Sequence, residues 1–254
     1  MLRTLAQGDG WIVVAKPPWM LVHRDEHTPR FAAVALQRVR RMVQRDVYPI
    51  HRLDRQVSGC LLFATEQELA GPLSRGLTGG EATKRYVALV RGEWKRAWEP
   101  VFVDTPMKDE NGVVREAASL VTPIVSCAEP RCSLVLVEPR TGRYHQVRRH
   151  VRDLHHPVVG DNQHGDTRVN REWREQRGLH RIALHCLELR VPLPDGGHIE
   201  ATSPMFDDFE KAVAPLPFWA EAIERLPALG LPTLKAPRPP RRFDPALRRG
   251  GAPR

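Results

Sequence analysis

His51-Arg52-Leu53-Asp54-Arg55-Gln56-Val57-Ser58-Gly59, followed at once by Cys60-Leu61-Leu62-Phe63-Ala64, is the stretch around which the rest of the chain is organised. The five apolar residues have the composition of a strand buried on both faces. Ser58-Gly59 ahead of them reads as a turn. Asp54 is thereby expected on a loop fixed to the edge of a core element, a common place for reactive side chains. It is one carboxylate between two arginines. On residue type alone, a salt bridge to Arg52 or Arg55 explains it as well as chemistry does.

Working outward, Trp11–Ala15 reads as a first strand, stopped by Lys16-Pro17-Pro18. Phe31–Arg45 reads as a helix, because Ala32, Leu36, Val39 and Val43 share one face at helical spacing. Glu66–Leu77 is a second helix. Thr83–Gly92, Val101–Val103, Ser119–Val125 and Ser133–Val137 are β-branched and alternating or fully apolar, hence strands. Arg143–Leu154 is helical, Ile182–Leu193 is a strand, and Phe206–Arg225 is a helix that Pro215 and Pro217 must divide. Strands come in runs without regular βαβ alternation. The expected class is α+β, with a central, mixed but mostly antiparallel sheet flanked by helices and loops.

The chain has 254 residues, 41% hydrophobic, enough for one large domain. No apolar run approaches the ~18 residues of a membrane span, and no signal-peptide centre is visible near Met1. Cys60, Cys127, Cys132 and Cys186 are sparse and irregularly spaced, so they are expected to be reduced thiols of a cytoplasmic protein. The formal charge is +9, but most of it lies late. From Leu231 onward seven basic residues face a single acid, Asp244, among six prolines. Residues 1–230 are therefore the expected folded domain, and residues 231–254 a disordered basic arm. A body with so little net charge binds nucleic acid only if its cations are gathered on one face.

Two further segments carry chemistry. In Thr141-Gly142-Arg143-Tyr144-His145-Gln146-Val147-Arg148-Arg149-His150, Val147, Val151 and Leu154 mark an inward face. His145, Arg148, Arg149 and Arg152 project away, either as an ordinary exposed face or, since no acid relieves them, as the favoured phosphate-contacting surface. Arg143 projects near the buried side, where an arginine needs an anion. Asp54 is the natural partner, oriented and kept ionised by a charge-assisted pair. In Lys84-Arg85-Tyr86, the tyrosine is either an ordinary half-buried strand residue or an aromatic platform for a flipped base. His155, His156, Asp161 and His164 cluster in sequence, but no metal site is expected from them.

In this order the segments resemble the RluA family of pseudouridine synthases. Its members carry a His-Arg-Leu-Asp loop, a Lys-x-Tyr strand, Thr-Gly-Arg-x-His-Gln-x-Arg and a later Leu-His, matched here by Leu184-His185. Lys16-Pro17-Pro18 with Leu21-Val22-His23 also resembles the family, as does the turn His156-Pro157-Val158-Val159-Gly160-Asp161. The resemblance runs from about residue 8 to residue 205. His164, Arg148-Arg149 and the polar stretch Thr167–His180 are most similar to the TruC branch, which acts on transfer RNA. The resemblance implies the pseudouridine synthase fold and isomerisation of a uridine, at position 65 of tRNA if the branch is right, with a ribosomal RNA substrate as the alternative. A non-catalytic RNA-binding protein is the competing class. The resemblance also implies Asp54 as the catalytic residue, Tyr86 stacked on uracil, Arg143 orienting Asp54 and Leu184 lining the pocket. Arg52, Arg55, Lys84, His145, Arg148, Arg149 and Arg152 are the candidate RNA contacts. An isomerisation requires no cofactor or metal, and no P-loop or dinucleotide fingerprint is present. RNA is the expected partner of a monomer.

Overall fold

The computed structural model describes residues 2–240 apart from Asp25, His27, Arg30, Phe31 and Glu110. In chain order it contains β1 (Arg3–Gly8), β2 (Trp11–Lys16), α1 (Ala35–Val43), β3 (Tyr48–Pro49), β4 (Ser58–Ala64), α2 (Gln67–Thr78) and β5 (Thr83–Arg91). There follow β6 (Val101–Val103), β7 (Met107–Lys108), β8 (Val114–Arg115), β9 (Ser119–Ala128), β10 (Arg131–Pro139), α3 (Gln146–Asp153) and α4 (Thr167–Arg177). The chain continues through β11 (Leu184–Pro192), β12 (His198–Thr202), α5 (Asp207–Val213), α6 (Trp219–Arg225) and a 3-10 turn at Pro227–Gly230.

One mixed sheet runs β1-β2-β4-β11-β5-β10-β9-β6, with β12 paired to β11 and β3 to β4; β7 and β8 form a separate hairpin. Its pairs are antiparallel except β4 with β11, where Ser58 faces His185 and Gly59 faces Cys186. The expected α+β class and mostly antiparallel sheet are what the chain forms. All seven residues of β4 are buried, which is why its run from Cys60 to Ala64 is continuously apolar. Across β4, β11 and β5 the row Gly59, Cys186, Tyr86 is in register. This row brings three segments distant in sequence to one end of the sheet.

Several expected boundaries move, each for a local reason. The turn before β4 lies at Asp54–Val57, closed by the Val57 amide donating to the Asp54 carbonyl at 3.0 Å. Ser58 and Gly59 already belong to the strand. Gly59 has φ +117°, and a Cβ there would stand 2.1 Å from the Cys186 carbonyl oxygen. The parallel pair closes at that point only because no side chain intervenes. Helix α1 starts at Ala35, since Ala33 and Val34 bridge to Leu21 first; the expected start at Phe31 lies outside the described residues. Helix α4 replaces what seemed only a polar stretch. Asp166 caps it through the amides of Arg168 and Val169, and Gly178 ends it at φ +66°. Pro215 and Pro217 fall between α5 and α6, as expected.

The segment from Leu231 is not separate from the body as far as it is described. Leu234 exchanges backbone hydrogen bonds with Met205 and Asp207, and the Ala236 amide donates to Asp207 Oδ1 at 2.8 Å. Residues 241–254, with most of the arginines of the expected arm, lie outside the described residues.

Two histidines, half-buried His51 and fully buried His185, fix β4 and the loop before it. His51 Nε2 accepts from the Leu62 amide at 3.2 Å. His185 Nε2 donates to the Ser203 carbonyl at 3.0 Å, leaving Nδ1 to meet the Ser58 hydroxyl at 2.8 Å. The His51 bond needs a neutral ring, and burial pushes His51 down to about 3 and His185 down to about 4, so both rings are neutral in the folded chain. The unfolded chain takes up protons near pH 6.5 that these rings refuse. Their contribution is therefore whole above that pH and is lost as pH falls from about 6.5 toward 4, by up to about 1.4 kcal/mol per pH unit for each ring. Denaturant titrations between pH 7 and 4.5 should show this loss; a flat profile contradicts it. Replacing Gly59 by alanine should cost about 3 kcal/mol or more. A thermal midpoint within a few degrees of the parent would refute that close approach.

Candidate active site

The Asp54 turn, the strand end at Lys84–Tyr86, the start of α3 and Leu184 enclose a cavity of about 310 Å³. Its wall also includes Leu77 from α2 and Thr141–Arg148. This is the size of a small-molecule site.

Helix α3 is set from its N-terminus. The Gln146 side chain accepts from the Thr141 hydroxyl at 2.7 Å and from the Arg143 amide at 2.9 Å. It donates to the Ala118 carbonyl and the Ser119 hydroxyl of the neighbouring β9 segment. His145 stands in the left-handed region, φ +55°, so the helix cannot extend back to Arg143. Projection along a helix therefore misplaces Arg143. It is exposed, and its Nε donates to the Glu116 carbonyl at 2.8 Å.

Arg148 is the partner of Asp54. It is 3% exposed, and its Nη1 donates to Asp54 Oδ2 at 2.8 Å. Its other edge grips Asp161 in a bidentate pair, Nε to Oδ2 at 2.6 Å and Nη2 to Oδ1 at 2.8 Å. Asp161 is fully buried and also accepts the amides of Gln163 and His164. Burial opposes both charges, yet the pairing wins: the Asp161 carboxyl is held below its ordinary range and the guanidinium above its own. Asn170 of α4 completes the frame, accepting from the Gly160 amide and donating to the Asp161 carbonyl. Arg148 lies about one hundred degrees round the helix from Val147. That flank is buried here because α3 is wedged between the Asp54 and Asp161 loops.

Asp54 itself is about one quarter open, its side chain 23% exposed. Among the described residues Oδ1 makes no hydrogen bond, so one oxygen of this cavity-lining carboxylate is anchored and the other is not. His145 Nε2 stands 3.7 Å from Oδ2, while its Nδ1 meets His164 Nε2 at 3.0 Å. Burial first of all, then the Asp54 charge working the other way, leaves His145 at about 4 and hence neutral. Tyr144 stacks on the His145 ring, centroids 3.6 Å apart, and Arg52 lies over the Tyr144 face at 5.8 Å.

Tyr86 and Leu184 line the cavity as expected. Burial, then the adjacent Cys186 and Asp54, raises the Tyr86 phenol well above its ordinary value, so the ring is present as the neutral phenol. Lys84 is buried in the same wall, and burial lowers its pKa. It is a cavity cation and not part of an open surface. The expected cationic stripe on α3 is not continuous. Arg148 faces inward, His145 is neutral, and Arg152 is taken up by Asp153 at 2.6 Å. Arg149 is left, donating to the Lys108 carbonyl at 3.2 Å. Arg55 projects to the far side of the turn from Asp54, where a second groove begins. Asp161 and Gln146 were not among the expected site residues; their roles depend on contacts with other segments.

Residues 10–153 match the family described as RNA pseudouridylate synthase. Among curated proteins, the chain is 37% identical to the tRNA pseudouridine synthase C of Vibrio cholerae, over 76% of this chain and 86% of that protein. It is 36% identical to the protein of the same name from Pasteurella multocida, over 74% and 84%. Of solved structures, human RNA Pseudouridylate Synthase Domain Containing 1 superposes with a TM-score of 0.63 at 26% identity, covering 80% of this chain and 83% of that one. Human RNA Pseudouridylate Synthase Domain Containing 4 reaches 0.67 at 19% identity over 89% and 93%, a likeness of fold. A pattern matched over more than half the chain, on the fold of these structures and with relatives more than one third identical, places the chain in the RNA pseudouridylate synthase family, as an RNA pseudouridine synthase.

Proposed function

We propose that this cavity converts a uridine of transfer RNA to pseudouridine, with Asp54 as the catalytic residue. The observation that carries the assignment is the asymmetric carboxylate of a cavity-lining residue, Oδ2 fixed by Arg148 and Oδ1 without a hydrogen bond among the described residues. The relatives named tRNA pseudouridine synthase C support tRNA as the substrate; position 65 is what the resemblance to the TruC branch implies.

The reaction breaks the bond between ribose C1′ and uracil N1 and forms one between C1′ and C5. A proton leaves C5 and N1 gains one, so the composition does not change. Positive charge develops at C1′, and an ionised carboxylate beside it meets that need, as in retaining glycosidases. Oδ1 serves either route, adding at C1′ or promoting elimination to a glycal. Arg148 keeps the carboxylate directed. Tyr86 offers the base a ring to lie on and a phenol proton to donate, and it is not ionised to act as a base. Leu53, Val57 and Leu184 keep water from a detached uracil. Arg52, exposed beside Tyr144, stands where a flipped nucleotide leaves its stack.

Mapping pseudouridines in total RNA from cells with and without the protein should show one lost site, in tRNA; a loss confined to ribosomal RNA overturns the substrate. In a carbodiimide-based assay, Asp54→Asn should form no pseudouridine while RNA affinity falls less than about tenfold, since one carboxylate is a small part of a phosphate-dominated interface. Measurable turnover by that variant rejects Asp54. Arg148→Lys should lower turnover by about two orders of magnitude, because a point charge cannot hold two carboxylates in the guanidinium geometry. Arg143→Lys should stay within a few-fold of the parent. The opposite ranking, in variants with matching circular dichroism, would restore Arg143 as the orienting residue.

A further inference from the structure

On the other side of the Asp54–Val57 turn a groove of about 600 Å³ opens between β1, the turn after β2, α1 and the strap Leu234–Pro240. Five cationic side chains line it, Arg3, Arg38, Arg55, Lys235 and Arg238, and among the described residues no acidic one lines it. Lys235 is matched by Asp207 at 3.3 Å. Arg3, Arg38 and Arg238 are exposed and have no carboxylate partner among the described residues. Such a gathering contrasts with a body whose net charge is small, and a polyanion is the ligand it fits.

The groove also holds an aromatic ring in a strained backbone. Trp19 has φ +67°, a region that a bulky residue rarely adopts. The conformation is enforced by Lys16, fully buried, whose Nζ donates to the carbonyls of Pro17 at 3.0 Å, Met20 at 2.8 Å and Arg55 at 3.3 Å. One ammonium thus ties the Trp19 turn to the loop that carries Asp54. Strain maintained by a buried clamp is a mark of a site with a task.

We propose that this groove is a second RNA-binding site, which seats the phosphodiester backbone of the segment flanking the target nucleotide, with Trp19 as the stacking platform for an unpaired base. An aromatic ring among arginines is the arrangement that holds single-stranded RNA without reading its sequence. The Asp54 turn separates the two sites by a single wall, Asp54 lining one and Arg55 the other. A strand that gives one nucleotide to the first cavity passes directly over the second. The inference rests on the reading of the first cavity as a uridine-modifying site.

The test uses the full chain and bulk tRNA from cells lacking this protein. The double variant Arg38→Ala, Arg238→Ala should weaken tRNA binding on the order of tenfold and lower the slope of log K against log salt by about two. kcat at saturating RNA should stay within about twofold. Trp19→Asn, which accepts the left-handed backbone but removes the ring, should raise KM with kcat held, and Trp19→Tyr should recover most of the loss. Unchanged affinity and salt slope overturn the proposal. So does a loss confined to kcat, which would mean that these residues only support the Asp54 turn. Binding is also read in the Asp54→Asn background, so it does not depend on turnover. If the chain modifies no tRNA uridine yet the double variant still binds weakly, the function reading fails and the groove stands; if turnover is confirmed and the double variant binds normally, the groove alone fails.

Discussion

A single guanidinium holds two carboxylates that the chain places 107 residues apart, and the site depends on that constraint. Arg148 gives two of its nitrogens to Asp161 and one to Asp54. The first contact is structural: a fully buried aspartate is tolerable only with such a partner. The second inherits its direction from the first. With both edges of the fork committed, the guanidinium cannot rotate, and the Asp54 carboxylate is aimed without a dedicated loop of its own. Asn170 and the amides of Gln163 and His164 extend the same frame outward to α4.

The cavity is polar in few places and apolar elsewhere, and this governs its ionisation states. Burial holds the imidazole beside Asp54 neutral and the Tyr86 phenol un-ionised. The buried guanidinium of Arg148 is the cation that reaches the Asp54 carboxylate from within the protein.

What could be read from the chain follows from where each signal resides. β4 was legible because burial on both faces leaves a composition that nothing else imitates, and Asp54 because it precedes that run. Tyr86 and Leu184 were found through a resemblance whose motifs are local. Arg143 was misassigned because helical projection presumes a helix. The start of α3 is decided by Gln146 reaching to Ala118 and Ser119, and by His145 in the left-handed region. Neither is a property of the segment itself. Asp161 stood in a recognised turn, but nothing nearby in sequence points it at Arg148. Helix α4 did carry its own signals, the cap Asp166 and the stop Gly178, within a stretch too polar to show an inward stripe. The second groove collects Arg3, Arg38 and Arg238, and no window of sequence contains them together.

The parallel pair of β4 with β11 has a bearing on how the chain is made. Ser58 meets His185 across a separation of 127 residues. During synthesis β2 and β3 are available to β4 early, but its other edge, apolar and with open backbone groups, must wait for a strand translated much later. Loop closure over such a span is slow, and an unpaired apolar edge is where nascent chains associate wrongly. The same late event brings Leu184 to the cavity, so a ribosome-bound chain lacking β11 has the Asp54 loop without its wall. The close approach at Gly59 is thus a final lock: until it engages, the enzyme has neither its central sheet nor a sheltered site.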